Sequence, residues 1–350
     1  MKYGSGSIDT QPYVFVSLSP AKPSIVFDTF WRFAAERQKI FFARVEGKPP
    51  PWTEDPVLRH YKFTNAYRAS DRTSQYLIRD VVYKGPAEAV EVFFRIILFK
   101  LFNKIETWQL LENQLGEIRF SSYCYKDYDR ILSEALASGV SIYSAAYIMA
   151  SGNDFFGVKR KHRAHLRLLE MMMREDLPAR LAACKSMRKG FELLRSYPLI
   201  GDFLAYQLIT DLNYSELTDF SEMEFTMPGP GARDGIRKCF ESLGGLSEAD
   251  IIRLMADRQE REFERLGIEF PSLWGRRLQL IDIQNLFCEV DKYARVMHPD
   301  IIGISGRLRI KQKFREKQTP IRYFYPPRWE LHISEAFTGE EDGMEQQTLI

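Results

Sequence analysis

The sequence predicts a mostly α-helical fold, and three observations carry that expectation. Apolar residues recur at helical spacing over most of the 350 residues. Strand-like alternation is scarce. Hydrophobic residues make up 45% of the chain, enough to bury a sizeable core along most of it. The length permits one large domain or two closely packed ones.

The elements read in order as follows. Residues 1–22 are polar, contain Gly and Ser, and read as a flexible N-terminus. Ser24–Val45 has helical spacing and forms the first helix. Gly47–Pro56 is an extended loop, because proline removes donors and restricts the residue before it. Helical runs follow at about 62–82, 87–103, 104–115, 126–137, 140–151, 160–175, 177–196, 200–212, 231–243, 247–265 and 273–297. Val90–Phe102 is the most apolar of them, but Arg95 and Lys100 interrupt it, so it reads as a buried helix. Residues 23–300 make the helical body, with room for two lobes. Residues 301–334 form a basic, aromatic, Pro-rich extension in which Lys311–Trp329 is loop with room for one strand. Residues 335–350 form an acidic disordered tail.

Composition narrows the function classes. A net charge of +2 neither demands nor excludes nucleic acid, since a local basic patch matters more than the total. Aromatics reach 13%, which fits a heavy core or stacking platforms. Cys124, Cys184, Cys239 and Cys288 lie far apart with no CxxC pair. That argues against zinc and for a reduced intracellular compartment, cytoplasmic or nuclear. Cys288 reads as a small buried hydrophobe, with no clear His partner that would make it a nucleophile. No stretch of about 18 apolar residues occurs, so no membrane is expected as a partner. His162 and His165 form an HxxH in a basic stretch, but third and fourth ligands are not evident. Surface or nucleic-acid contact is the expectation there, and no metal is assigned.

The stretch Arg195–Leu212, RSYPLIGDFLAYQLITDL, interrupts two apolar helices with Pro198, Leu199, Ile200 and Gly201. A helix-hairpin-helix has this form, although Leu199 stands where its first glycine belongs. Leu204, Leu208 and Leu212 then give an apolar stripe. Backbone N–H groups at such a turn suit a phosphate, so Gly201 and Asp202 are candidates for a DNA-backbone contact. An ordinary αα-hairpin is the alternative.

Thr218–Phe240 follows with Asp219, Glu222 and Glu224, then Pro228-Gly229-Pro230-Gly231, then a helix bearing Arg233, Arg237 and Lys238. A Pro/Gly turn permits close backbone approach, and a helix start beside cations suits phosphate or diphosphate. A structural turn with a solvated basic helix fits as well. Read as one helix, Lys62–Asp80 places Asn65, Arg68, Arg72 and Gln75 on one face. Amides and guanidiniums so arranged can read a base edge or clamp phosphate. Asp282, Asn285, Glu289 and Lys292 share a face of Gln279–Pro299. There Glu289 is a candidate base or amine holder and Lys292 a phosphate contact, with an intrahelical charge ladder as the alternative. Lys311, Lys313, Arg315 and Lys317 interleave with Tyr323, Phe324, Tyr325 and Trp329, which fits single-strand or flipped-base contact, or a packed C-terminal segment.

Four blocks, FTNAYRASDRTSQYLI, YPLIGDFLAYQLITDL, MPGPGARDGI and DIQNLFCEVDKYAR, together resemble the α-glutamyl/putrescinyl-thymine pyrophosphorylase family. Its module is also known as the helical domain associated with 5-hydroxymethyluracil DNA kinases. The resemblance spans about residues 25–300. It implies a fold related to the helix-hairpin-helix DNA glycosylases. It implies that an amine or amino acid displaces diphosphate from an activated 5-hydroxymethyluracil base in DNA. The partners implied are DNA, the amine or amino-acid cosubstrate, and a separate kinase, since no GxxxxGK[ST] occurs in this sequence.

On that resemblance, Gly229, Gly231, Arg233, Arg68 and Arg72 are assigned to the diphosphate. Asp219, Glu224 and Glu289 are the base or amine-holding candidates. Asn65, Gln75 and Asn285 read the thymine-like edge, and Gly201 and Asp202 mark the turn at the DNA backbone. No cofactor is evident, although a diphosphate substrate can bring Mg²⁺. Phe203 stands near where lysine-using glycosylases place their nucleophile, which speaks against a β-lyase. Two other readings stay open: a glycosylase-like enzyme excising a modified base, with Asp219 or Glu224 stabilising an oxocarbenium ion, and a non-catalytic binder of modified DNA.

Overall fold

A computed structural model describes residues 19–145, 149–316 and 322–333. The readings of a flexible N-terminus up to residue 18, of Lys317 and of the acidic tail lie outside the described residues.

The described chain is helical, with one small two-stranded sheet. In order, the helices are α1 (Val26–Val45), α2 (Pro56–His60), α3 (Arg72–Tyr76), α4 (Ala89–Phe102), α5 (Ile105–Leu115), α6 (Tyr125–Ala137) and α7 (Asn153–Phe156). Then come α8 (Lys161–Arg174), α9 (Leu177–Ala182), α10 (Met187–Arg195), α11 (Asp202–Leu212), α12 (Pro230–Cys239), α13 (Glu248–Arg265) and α14 (Leu280–Met297). Strand β1 (Lys22–Pro23) pairs antiparallel with β2 (Phe240–Ser242).

Local chemistry sets several boundaries. Asp55 accepts from Val57 and Leu58 N–H at 2.8 and 3.0 Å, and Pro56 opens α2. Ser247 with Asp250, and Gln279 with Asp282, form capping boxes at α13 and α14. Asn103 takes a left-handed φ of 47° and ends α4.

Two apolar cores result. One gathers α4, α5, α6 and α8 to α11; the other gathers α1, α12, α13 and α14 with Tyr323 and Tyr325. Val90–Phe102 is buried along almost its whole length as α4. The segment 63–82 runs from the second core into the first, so both lobes share it. In the second lobe α12 lies almost backbone to backbone on α14. A Cβ at Gly235 would fall on the carbonyl of Phe287.

The structure departs from the sequence reading in five places. The run at 62–82 is not one helix. Residues 62–67 are irregular, Arg68–Ser70 is a 3₁₀ turn, and a π-turn at Leu77–Val82 follows α3. Asp71 accepts from the Asn65 N–H at 2.8 Å and Asn65 Nδ2 donates to the Ser70 carbonyl at 2.8 Å. These side-chain bonds compete with helix formation. The described residues of 140–151 are not helical, and the Ile142 carbonyl accepts from Thr107 at 2.8 Å. The run at 177–196 breaks into α9 and α10, where Ser186 caps a new helix. The run at 231–243 stops being helical after Cys239, and Phe240–Ser242 forms β2. The run at 273–297 starts only at Leu280, after a turn with Trp274 and Gly275 at positive φ.

Candidate active site

α10 and α11 pack together across the turn Ser196–Gly201. Leu199 in this turn adopts φ 66°, in the left-handed region. A positive φ is strained for Leu, and its half-buried side chain packs against Gly152. Gly201 sits at the start of α11 with open space around it, and no side chain caps that helix. Asp202 is exposed and pairs with Arg195. Phe203 packs on Gly229, so the start of α11 abuts the Pro/Gly turn that opens α12.

That turn leads to the polar face of α14. Gly231 lies against Cys288 Sγ. Cys288 falls three residues after Asn285 and four before Lys292, so these side chains are neighbours on the helix surface. Burial pushes the Cys288 thiol up, well away from thiolate character. Glu289 is buried; its Oε2 accepts from the Thr64 N–H at 3.0 Å and pairs with Lys292 at 2.7 Å. The i,i+3 ladder thus exists, but Glu289 also reaches out of it to the 63–71 segment.

On that segment Arg37 from α1 donates to the Thr64 carbonyl at 2.9 Å and to Asn65 Oδ1 at 3.1 Å. Burial pulls the Arg37 guanidinium down to about 10, against the attraction of Asp71 and Glu289. Burial likewise pushes the Asp71 carboxyl up to about 7, with Glu289 adding to the rise and Arg37 opposing it. Asn65, Asp71, Asn285, Glu289, Lys292 and Arg37 therefore form one outer polar centre beside the start of α12. It couples two carboxylates, two amides and two cations.

A second, inner centre lies between the lobes. Arg68 is buried and donates to Gln207 Oε1 at 3.1 Å and to the Tyr214 hydroxyl at 3.0 Å. It also pairs with Asp211 at 2.7 Å, and Lys100 pairs with the same carboxylate at 3.1 Å. Burial alone would raise Asp211; the Arg68 and Lys100 charges override it and hold the carboxyl down. Asp282 accepts from the Arg68 N–H at 2.8 Å and from the Gln279 N–H at 3.0 Å, and burial pushes it up to about 7. Glu222 pairs with Arg276 at 2.7 Å, whose guanidinium lies 3.7 Å from the centre of the Trp329 ring.

The remaining sequence candidates separate. Asn65 and Arg68 precede α3 and do not share a helical face with Arg72 and Gln75. Gln75 is buried: Nε2 donates to the Ala69 carbonyl at 2.8 Å, and Oε1 accepts from the Phe324 N–H at 2.7 Å. Arg72 is partly buried near Arg44 and Tyr323. Asp219 is 91% exposed and Glu224 is exposed, accepting from the Met187 N–H at 3.3 Å. Arg233 is exposed on α12.

His162 and His165 contradict the expectation of a surface contact, for both are fully buried. His162 bonds Asp129 at 2.8 Å, and His165 bonds Tyr143 at 2.9 Å and the Ala150 carbonyl at 2.8 Å. Burial drives His165 down to about 4. The basic stretch runs into helix α8, whose histidines face the first core.

Sequence reasoning did not single out Asp71, Gln207 or Arg276. Asp282 stood on the polar stripe and Glu222 in the acidic loop, and either could have been chosen from those signals. Two surface cavities lie elsewhere, about 400 Å³ between α5 and α6 and about 490 Å³ between β1, α1 and α13.

The family model described as 5-hmdU DNA kinase, helical domain, matches residues 24–303, from the start of α1 past the end of α14. The 5-hmdU DNA kinase of Bacillus phage SP10 is 28% identical over 298 residues, covering 78% of this chain and 46% of that protein. The chain thus spans less than half the length of this relative. No solved structure matches it. The family model covers well over half of the chain, so the chain belongs to the family of 5-hmdU DNA kinase helical domains.

Proposed function

We propose that the chain modifies a thymine-like base in DNA, transferring an amine or amino acid onto diphosphorylated 5-hydroxymethyluracil. Supporting this are the family and the outer polar centre, where Glu289 and Asp71 lie beside two amides and two cations at the start of α12. The fold we infer is helix-hairpin-helix and glycosylase-like; its support is the left-handed turn at Leu199 followed by the uncapped start of α11.

The reaction balances simply. The amine nitrogen forms a bond to the methylene carbon at C5, the carbon–oxygen bond breaks, and diphosphate leaves. The proton shed by the amine goes to a carboxylate, Glu289 or Asp71 in this reading. Asn285 faces the uracil edge, while Asn65, whose oxygen and nitrogen are both engaged, positions the segment. The N–H groups near Gly229 and Gly231, with Lys292 on the facing side of α14 and the exposed Arg233 of α12, stabilise the leaving diphosphate. The base must leave the stack to reach them, with Gly201 and Asp202 holding the DNA backbone. A separate kinase activity supplies the diphosphate ester.

The test is mass spectrometry of nucleosides after incubation with DNA carrying the 5-hydroxymethyluracil diphosphate and a mixture of amines and amino acids. A new adduct with diphosphate release is expected. Unchanged substrate with DNA still bound would reject transfer and favour a binder. A second reading, base excision, has one observation in its favour. Glu222 follows Gly201 by about twenty residues and is the acid of the loop that turns inward, to Arg276. Free modified base without any amine present would establish it.

A further inference from the structure

Beyond the family-matched residues, the chain continues as an extended strap, Gly306–Glu316, laid along the second lobe. Its backbone is anchored. Lys62 N–H donates to the Gln312 carbonyl at 3.0 Å, and Phe314 N–H donates to the His60 carbonyl at 2.9 Å. Tyr61 and Lys313 form a bridge, and Arg295 donates to the Arg309 carbonyl at 2.9 Å. Alternate residues of an extended chain point to opposite sides. Here every second residue from 307 to 315 is a cation: Arg307, Arg309, Lys311, Lys313 and Arg315. All five are exposed. Of the residues between them, Ile310 turns onto the second core and Phe314 onto Trp52, while Leu308 and Gln312 are exposed like the cations.

We propose that this strap is a binding surface for the DNA phosphodiester backbone. The cations stand about 6.6 Å apart and span about 26 Å. Over that length one strand of a duplex carries about eight phosphates, so each cation can meet its own. None of the five has an acidic partner among the described residues, so no internal ion pair must be broken for binding. The anchoring bonds fix the row before DNA arrives, which lowers the ordering cost of association. They also tie it to residues 60–62, directly ahead of Thr64 and Asn65 in the outer polar centre. A backbone held there brings its bases to that centre.

The proposal shares the DNA reading given above, so its test uses unmodified duplex DNA and no cosubstrate. Failure of the transfer chemistry then leaves it untouched. The full chain and a variant with Arg307, Arg309, Lys311, Lys313 and Arg315 all changed to Gln are titrated with a short duplex over a range of salt. Each phosphate contact contributes about 0.9 to the slope of log affinity against log salt. Five contacts cost about 500-fold in affinity between 50 and 200 mM salt, and that share of the loss should vanish in the variant. A control changes Lys126, Arg130, Arg174, Lys185 and Lys189 to Gln, five exposed cations of the first lobe, and should keep the slope. Both variants should melt where the parent does. An unchanged slope in the strap variant, or equal loss in the control, overturns the surface. So does a parent that binds no duplex but binds phosphatidylserine vesicles through the same five residues.

Discussion

Glu289 is where a single residue tests chemistry with least disturbance of the fold. Glu289→Gln keeps an oxygen for the Thr64 N–H and removes the proton acceptor. Transfer should fall by about 10²-fold or more with little change in melting temperature. Unaltered turnover would remove Glu289 from the mechanism. Arg68 behaves differently, although it too was a substrate candidate. Its guanidinium is consumed by Gln207, Tyr214 and Asp211, so Arg68→Ala leaves a buried carboxylate with Lys100 alone. Urea unfolding should show a loss of about 3–5 kcal/mol. A variant as stable as the parent would mean that Arg68 is free for substrate after all. The raised carboxyls make a further prediction. Asp71 and Asp282 hold their protons from an ordinary 3.8 up to about 7 in the folded chain. The folded state therefore binds more protons than the unfolded one in this window. The stability they lend is full below about pH 4 and fades as pH rises through about 7. Asp71→Asn should flatten part of that decline; a curve parallel to the parent's would show Asp71 ionised throughout.

At the level of elements, a glycine inside α12 and the glycine at the start of α11 separate cleanly. Gly235→Ala drives a Cβ onto the Phe287 carbonyl, a backbone atom that cannot rotate away. α12 and α14 must part, at a cost of about 1–3 kcal/mol or more, read as a lowered melting temperature. Gly201→Ala meets nothing and sits at φ −83°, so its melting temperature should hold while DNA affinity reports on the turn. The reverse order of stabilities would mean that α12 and α14 do not meet backbone to backbone at Gly235.

The same elements explain what was legible in the sequence. Helices with long apolar stripes, such as α4, α11 and α14, follow from periodicity because one face or all faces are buried. The hairpin turn was legible from Pro198 and Gly201 even with Leu199 in a left-handed position. The 62–82 segment was not, because Asn65 and Asp71 bond each other's backbone surroundings, and nothing in a periodic pattern encodes that. In the outer centre, Asn285, Glu289 and Lys292 were visible as one helical face. Asp71 and Arg37 were not, since their significance arises only when α1 and α14 close on the segment between them. His162 and His165 misled for the opposite reason, their basic neighbours being exposed while they themselves are not.

At the scale of the molecule, the two lobes are joined by a C-terminal segment that crosses from one to the other. Phe324 N–H is held by Gln75, and the Tyr325 hydroxyl meets Ser70 Oγ at 2.8 Å. Arg328 then donates to the carbonyls of Ser215 and Thr218 at 3.0 and 2.6 Å and also to Asn213, just past α11. Trp329 ends the crossing on Arg276 and edge-on to Tyr214. One planar guanidinium thus serves three carbonyls that would otherwise lack partners near a helix end, a geometry that a lysine ammonium cannot reproduce. Arg328→Ala should raise amide hydrogen exchange at Phe324 and Tyr325 as the crossing detaches, and lower stability by about 1–3 kcal/mol. Arg328→Lys should recover only part of both. Exchange at Phe324 that stays slow in the alanine variant would mean that Gln75 and Ser70 alone hold the segment. The inner centre would then be closed from the α3 side, and Arg328 would be only a cap on the chain leaving α11.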